Sequence, residues 1–479
     1  MRLIKNVLLD LNNVGENYSE FERKLPIILP RAFDKIADHL GIKPDKDYFN
    51  EKRMEYSIVS GDNPFQHYPA FWQHIFEPLI QRSLRYEEIE KLYSIYLDEY
   101  EENIDIYSDF ISFQERCKLE GFKTGIVANG NTHRVYRFLQ KYNLLDKFDT
   151  IIASGSSPFA KPNPSIFKLA LLNNKSLPVE SVFIGDRPDT DIAGANKSGI
   201  WTIRLRRGPA KSLDPKNVIE TGDFTVDCLD EIFDLPILAL EEEITSVVIP
   251  CGGRGTRMGE MTSSKQKCMI ELDGTPILGR VVNLLRSCGI KEFHFIVGYR
   301  SEDILNYFGD GDRMGVKVYY HHPNQPSTGL AFLSILDKLP PNILYCHANI
   351  LFQPNIFSNL LKEFYKSKSS TFAITKIPVA HTHPVFILNN GVPTQIKRFA
   401  NSENIDKVYY SMGLGIIATK DINNSIESFS VEDITTEQLL SKSVSTVKTI
   451  EQNEPWFHLE TMEDFESYVS LERKRSLYG

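Results

Sequence analysis

Two groups of residues in this 479-residue sequence have the types and spacing that handle phosphate. The first lies early: LLDLNN puts Asp10 and Asn12 just past an apolar run, AKPNPSIF carries Lys161, and SVFIGDRPDTDIAGA carries Asp186 and Asp191. Moving a phosphoryl group onto a carboxylate needs a nucleophile, a metal held by further carboxylates, and a fixed cation on the phosphate oxygens. Asp10, Asp186 supported by Asp191, and Lys161 answer those needs in turn. The second group follows the apolar run SVVIP. In CGGRGTRMGEMTSSKQKC, Gly252, Gly253 and Gly255 let backbone N–H groups approach a polyphosphate, Arg254 and Arg257 add charge, and Lys267 follows a polar stretch. The loop is not a GxGxxG, since Met258 stands at the last glycine, and it is not a GxxxxGK[ST].

Elements must carry these residues to one place. The β-branched runs Val7–Leu9, Thr124–Val127, Val182–Ile184, Val247–Ile249, His294–Val297 and Ile343–Tyr345 alternate with helical-period segments, which predicts parallel sheets covered on both faces. The alternation starts twice, at residue 4 and near residue 245, so the fold class is α/β with two tandem domains. Open α/β sheets bind ligands at the carboxyl ends of their strands, where Asp10, Ala128, Asn129 and Asp186 fall. From about Glu16 to Asp105 no strand signal appears, which predicts a helical insertion. Phe71, Trp72 and Phe76 are spaced as its core, and His67 and His74 read as surface or packed side chains. The expected boundaries are 1–237 for the first domain, 238–244 for a linker and 245–479 for the second.

Composition narrows the partners. With 42% hydrophobic and 24% charged residues each domain can bury a core, and no apolar run is long enough for a membrane span. A net charge of −9 provides no general attraction for nucleic acid or an anionic membrane, so any phosphate site is local. Cys117, Cys228, Cys251, Cys268, Cys288 and Cys346 form no CxxC pair, and no histidines cluster at zinc spacing. The cysteines read as reduced thiols of a cytoplasmic protein, and MRLIKNVLLDL reads as a first strand rather than a signal peptide.

The order LLDLNN, GIVANGN, KPNP and GDxxxxD over about the first 235 residues resembles the haloacid dehalogenase (HAD) phosphohydrolases, whose Rossmannoid domain carries its cap where the helical insertion sits. Three positions depart from that family. Asn12 replaces the aspartate that acts as general acid and base, Asn13 and Val14 replace the usual glycine and threonine, and Ala128 replaces the phosphate-binding Ser or Thr. An amide cannot protonate a leaving alkoxide, and losing a positioned acid costs about 10²–10⁴ in rate. The backbone carbonyl of Asn12 can still join Asp10, Asp186 and Asp191 around Mg2+.

From Val247 onward, GGRGTRM, KCMIELDGTPIL, the IVGY strand end, NQPSTGLA and WFHLETMEDFE resemble the sugar-phosphate nucleotidyltransferases, a GT-A-like fold. The resemblance implies that Gly252, Gly253, Arg254, Gly255, Thr256 and Arg257 hold the triphosphate, that Gln325 and Gly329 lie near the base, and that Lys267 stabilises developing charge. The proline before the lysine is Gln266, and the family's magnesium-binding aspartate is Asn349, leaving Glu460, or in another register the position of His458, as the second ligand. Lys397 and Arg398 are candidates for the acceptor phosphate. The expected partners are a nucleoside triphosphate and a phosphorylated sugar or polyol, with Mg2+ as cofactor; homo-oligomerisation stays open. The expected reaction is nucleotidyl transfer with pyrophosphate release, and the alternative is a nucleotide-binding scaffold with impaired turnover.

Overall fold

The computed structural model describes residues 2–470 apart from 44, 61–68, 242–243, 254–264, 326, 378–382, 398–406, 423–433, 453–455, 462, 465 and 469. Arg254, Gly255, Thr256, Arg257, His67 and Arg398 therefore lie outside the described residues. The chain divides into two compact units, Arg2–Leu240 and Glu241–Gly479. Among the described residues no helix is long and apolar enough to cross a membrane.

In the first unit six parallel strands run in the order β3-β2-β1-β4-β5-β6: β1 (Asn6–Leu9), β2 (Lys123–Ala128), β3 (Thr150–Ala153), β4 (Ser181–Gly185), β5 (Trp201–Leu205) and β6 (Phe224–Val226). Strands β1, β2, β4 and β5 are buried almost throughout and rich in apolar side chains, as a sheet covered on both faces requires. Helices α1 (Tyr18–Leu40), α2 (Lys46–Ser60), α3 (Pro69–Ile80) and α4 (Tyr86–Asn103) follow β1 before α5 (Ser108–Leu119) leads back to the sheet. Phe71, Trp72 and Phe76 are fully buried among these helices, where Phe76 stacks on Phe33 at 5.2 Å and Trp72 meets Tyr96 at 5.3 Å. Helix α6 (Thr132–Lys141) is capped by the Asn131 side chain, and α7 (Pro164–Asn173) by Asn163 with proline at its first position, so both begin sharply at the strand ends. The short α8 (Ala193–Lys197) follows β4.

The second unit starts with β7 (Ser246–Cys251), then a small hairpin of β8 (Glu271–Leu272) and β9 (Thr275–Pro276), α9 (Ile277–Ser287), β10 (Glu292–Val297), α10 (Ser301–Phe308), β11 (Lys317–His321), α11 (Thr328–Leu333), β12 (Asn342–Cys346), β13 (Ile350–Phe352) and α12 (Pro354–Ser367). It continues through β14 (Thr371–Thr375), β15 (Val385–Asn389), β16 (Val392–Lys397), β17 (Val408–Ala418), β18 (Lys448–Glu451) and β19 (Trp456–His458). The main sheet runs β11-β10-β7-β12-β17-β14-β18, and β19 pairs with β13. The sequence predicts a parallel sheet here; the sheet is mixed. Strands β7, β10, β11 and β12 are parallel, whereas β17 runs antiparallel to β12, β14 and β15. For the β15–β16 pair, which is also antiparallel, the reason is local. Asn390 and Gly391, at φ 49° and 78°, turn β15 straight back into β16, and strands joined by such hairpins are antiparallel.

Candidate functional sites

In the first unit Leu9 of β1 lies beside Ile184 of β4, so Asp10 and Asp186 leave adjacent strand ends. The Asp10 amide donates to the Ile184 carbonyl at 2.9 Å and fixes that exit. Lys161 arrives from the loop before α7 and is pinned by Asn129, whose side chain accepts from the Lys161 amide at 2.8 Å and donates to its carbonyl at 2.9 Å. The lysine Nζ lies 2.5 Å from Asp10 Oδ1 and 2.8 Å from Asp191 Oδ1, all buried. Burial raises Asp10 to about 7, with Asp191 adding to the effect and Lys161 opposing it. Burial followed by Asp191 and Asp10 pushes Asp186 up as well, while for Lys161 burial works against the ammonium and the two carboxylates outweigh it.

Two of three buried carboxylates thus share one ammonium, and carboxylate oxygens of Asp10, Asp186 and Asp191 lie within 4.8 Å of one another. An all-oxygen, charge-deficient set of this kind fits a hard divalent cation such as Mg2+. The side chain of Asn12 meets Arg134: its Oδ1 accepts from Arg134 Nη2 at 3.0 Å. Arg134 is itself fully buried and bonds Glu16 at 2.8 and 2.6 Å, while Tyr100 donates to Glu16 at 2.6 Å. Asn13, at φ 55°, donates to Asp186 Oδ2 at 3.3 Å and accepts from Ser19. Asn129 is legible in the sequence by its strand-end position, whereas no local signal joins Arg134 to Glu16.

In the second unit a cavity of about 480 Å³ is lined by Gly252 and Gly253 after β7, Lys267, Gln325, Asn349 and Glu460. Gly252 packs against Gly298, where a Cβ on Gly298 would come within 3.1 Å of its Cα, so the two strand ends meet backbone to backbone. Gln266 shows what replaces the proline. Its side chain donates to the carbonyls of Cys251 (2.6 Å) and Gly253 (3.3 Å) and accepts from the Cys268 amide (2.6 Å), while its own N–H, which proline would lack, donates to Asp303 (2.9 Å). It ties the glycine loop to the turn that carries Lys267. Lys267 Nζ lies 3.9 Å from Glu460 Oε1. Gln325 is exposed at the cavity, whereas Gly329 is buried against the Ile434–Thr435 backbone: its amide bonds Ile434 at 3.0 Å and a Cβ would stand 2.8 Å from Thr435 O. Its glycine requirement is thus one of packing, and its neighbours Ser327 and Thr328 face the cavity. Lys397 ends β16 and does not line it.

The magnesium set implied for this unit fits less well. Asn349 Nδ2 donates to the Leu459 carbonyl at 2.9 Å, a bond an aspartate could not make, and the Asn349 carbonyl accepts from the Leu459 amide at 2.9 Å. Glu460 is one carboxylate between Lys267 and His458, whose Nδ1 is 3.5 Å from Glu460 Oε2. The one other carboxylate among the described residues lining the cavity, Glu437, accepts from the Ser411 hydroxyl at 3.0 Å.

No histidines cluster at zinc spacing in the sequence, but the fold gathers three of them. His347, His383 and His458 each place one ring nitrogen within 4.8 Å of the others, and all three line the cavity. Zinc-spacing rules look for ligands on one short loop, but these come from the segments following β12, preceding β15 and ending β19. The strand-end position of His347, in ILYCHANI, was the available signal.

Residues 43–205 match the family of haloacid dehalogenase-like hydrolases, and residues 247–413 match the MobA-like NTP transferase domain. The chain thus joins a HAD-like domain to an NTP-transferase-like domain, as the two sequence resemblances imply. A glyceraldehyde 3-phosphate phosphatase of Methanopyrus kandleri is 34% identical over 129 residues, covering 27% of this chain and 55% of the relative. A UTP–glucose-1-phosphate uridylyltransferase of Haloferax volcanii is 25% identical over 130 residues, covering 27% and 54%. The chain spans about half the length of the curated relatives it matches. Among solved structures, a HAD phosphatase from Thermococcus onnurineus is 27% identical and covers 48% of this chain and 97% of its own, with a TM-score of 0.37.

Proposed function

We propose that the second unit transfers a nucleotidyl group from a nucleoside triphosphate to a phosphorylated sugar or polyol and releases pyrophosphate. The observation that carries this reading is the cavity in which the Gly252–Gly253 loop and Lys267, tied together by Gln266, face Gln325 and Ser327 across a space large enough for a nucleotide. The likeness to a relative named as a glucose-1-phosphate uridylyltransferase supports the acceptor class. In the proposed reaction a phosphate oxygen of the acceptor attacks the α-phosphorus, a new P–O bond forms, the bond to the β-phosphate bridging oxygen breaks, and pyrophosphate leaves with that electron pair. Lys267 holds positive charge where the non-bridging oxygens gain negative charge, and Gly252 and Gly253 admit the phosphates closely. Purified chain with Mg2+, each of the four nucleoside triphosphates and a panel of sugar and polyol phosphates is expected to release pyrophosphate with one combination. No release by folded protein with any combination overturns the reading.

For the first unit we propose phosphate-ester and Mg2+ binding in the Asp10 centre with impaired hydrolysis. Asp10 is the proposed nucleophile, Lys161 neutralises phosphate oxygens, and Asp10, Asp186 and Asp191 would hold the ion, which supplies further charge neutralisation when bound. The contact of Asn12 with Arg134 favours the impairment, because no acid stands where the leaving alkoxide needs a proton. Phosphatase turnover within tenfold of ordinary HAD phosphatases would contradict it.

A further inference from the structure

The three histidines of the second unit carry chemistry that nucleotidyl transfer as proposed above does not use. His383 Nδ1 lies 2.6 Å from the Ser411 carbonyl oxygen. A carbonyl only accepts, so that nitrogen carries the proton and Nε2 of a neutral ring presents its lone pair. This Nε2 is 3.1 Å from His458 Nε2. On the far side of His458, Nδ1 faces the Glu460 carboxylate at 3.5 Å, which calls for a proton there. With His458 neutral and protonated at Nδ1, two lone pairs then confront each other at 3.1 Å. Something positive between the two Nε2 atoms resolves the conflict: a second proton on His458, or a metal ion.

The surroundings favour the ion. Two nitrogens each about 2.1 Å from one ion and separated by 3.1 Å subtend roughly 95°, between octahedral and tetrahedral values. The third imidazole, His347, is packed edge to face on His383 with ring centroids 4.8 Å apart and has Tyr345 OH 3.0 Å from its Nε2. Gly413, at φ 71°, makes room for it, since a Cβ there would stand 2.6 Å from His347 Nδ1. The outer contacts are those that orient metal-binding imidazoles: a backbone carbonyl behind His383 and a carboxylate behind His458. Ser411 is in turn fixed by its hydroxyl donating to Glu437 at 3.0 Å.

We propose that His347, His383 and His458 form a site for a divalent transition-metal ion of the zinc and cobalt class, with its remaining coordination positions open to the cavity. Imidazole nitrogens select such ions over Mg2+, which the oxygen set of the first unit suits. His347 completes the site by a shift that brings its nitrogen from within 4.8 Å to about 3.4 Å of the other two. Metal binding by these side chains needs no nucleotide, so it stands or falls separately from the transfer reaction.

The test is a Co2+ titration of the full chain, stripped with a chelator and held in excess Mg2+ to fill the Asp10 centre, followed by visible absorption and repeated calorimetrically with Zn2+. The expected result is one equivalent per chain with the spectrum of nitrogen-ligated Co2+, and affinity lowered tenfold or more in both His383→Ala and His458→Gln. Circular dichroism and melting curves verify that His458→Gln is folded. Absence of saturable binding by the parent chain, meaning that a proton alone bridges the rings, overturns the proposal; so does binding unchanged in both variants. Histidine-dependent Co2+ binding without pyrophosphate release under any condition overturns the transfer reading alone, and pyrophosphate release without such binding overturns this site alone.

Discussion

The two units arrange their charged groups in opposite ways. The first buries formal charges and pairs them: Lys161 with Asp10 and Asp191, and Arg134 with Glu16, all nearly inaccessible to water. The second brings imidazoles and backbone to its cavity, with Lys267, Glu437 and Glu460 as the charged side-chain types among the described residues that line it. On the proposed reading, the contrast teaches that a preset charge cluster and a sparsely charged cleft serve one anion-handling task. The cluster is costly to disturb, because removing one partner of a buried ion pair strands the other.

That asymmetry can be broken experimentally. Glu16→Gln leaves the Arg134 guanidinium in a dry interior without its carboxylate and is expected to destabilise the first unit by about 3–5 kcal/mol, read by denaturant unfolding. A loss below about 1 kcal/mol would mean that the pair is not held as a buried charge couple.

A smaller effect is expected where the second unit keeps imidazole neutral. His294 stacks on Tyr319 and lies 3.1 Å from His321, and burial followed by His321 lowers it to about 4 against the pull of Glu292. A folded value below the ordinary one near 6.5 means that the unfolded chain binds the extra proton first. Stability is therefore complete above about pH 6.5 and declines as pH falls toward about 4, by at most about 3 kcal/mol. His294→Phe should flatten that part of the pH–stability curve relative to the parent; an identical slope would show that the ring is not kept neutral.

The smallest expected effect sharpens the comparison most. Asn12→Asp restores the residue type of an acid–base aspartate, yet Arg134 stands 3.0 Å from that position and would hold the new carboxylate ionised. Phosphatase turnover with a generic phosphate ester is expected to rise less than tenfold, against the factor of about 10²–10⁴ that a working acid contributes. A rise of a hundredfold or more would show that Arg134 does not govern the site.

How much of this could be read beforehand follows sequence distance. Strands, their alternation with helices and the aromatic core of the inserted helices are local patterns, and the α/β class followed from them. The mixed sheet is less legible: Asn390–Gly391 marks one hairpin locally, but the antiparallel pairing of β17 with β12 joins segments far apart in the chain. Arg134 and Glu16 are 118 residues apart, and His347 meets His458 across 111 positions, so only the fold brings them together. Gln266 read as a departure from a family pattern, and only its contacts with Cys251, Gly253 and Asp303 show what the glutamine does.

The central claim is that the cavity beside Gly252 and Lys267 carries nucleotidyl transfer independently of the Asp10 centre. The most direct test is pyrophosphate release by the parent chain, Lys267→Ala and Asp10→Asn with the best triphosphate and acceptor from the panel. The expected result is a loss of about 10²–10³ in rate for Lys267→Ala, as for removal of a positioned charge stabiliser, and no change for Asp10→Asn. Full activity in Lys267→Ala, or its loss in Asp10→Asn, would contradict the account.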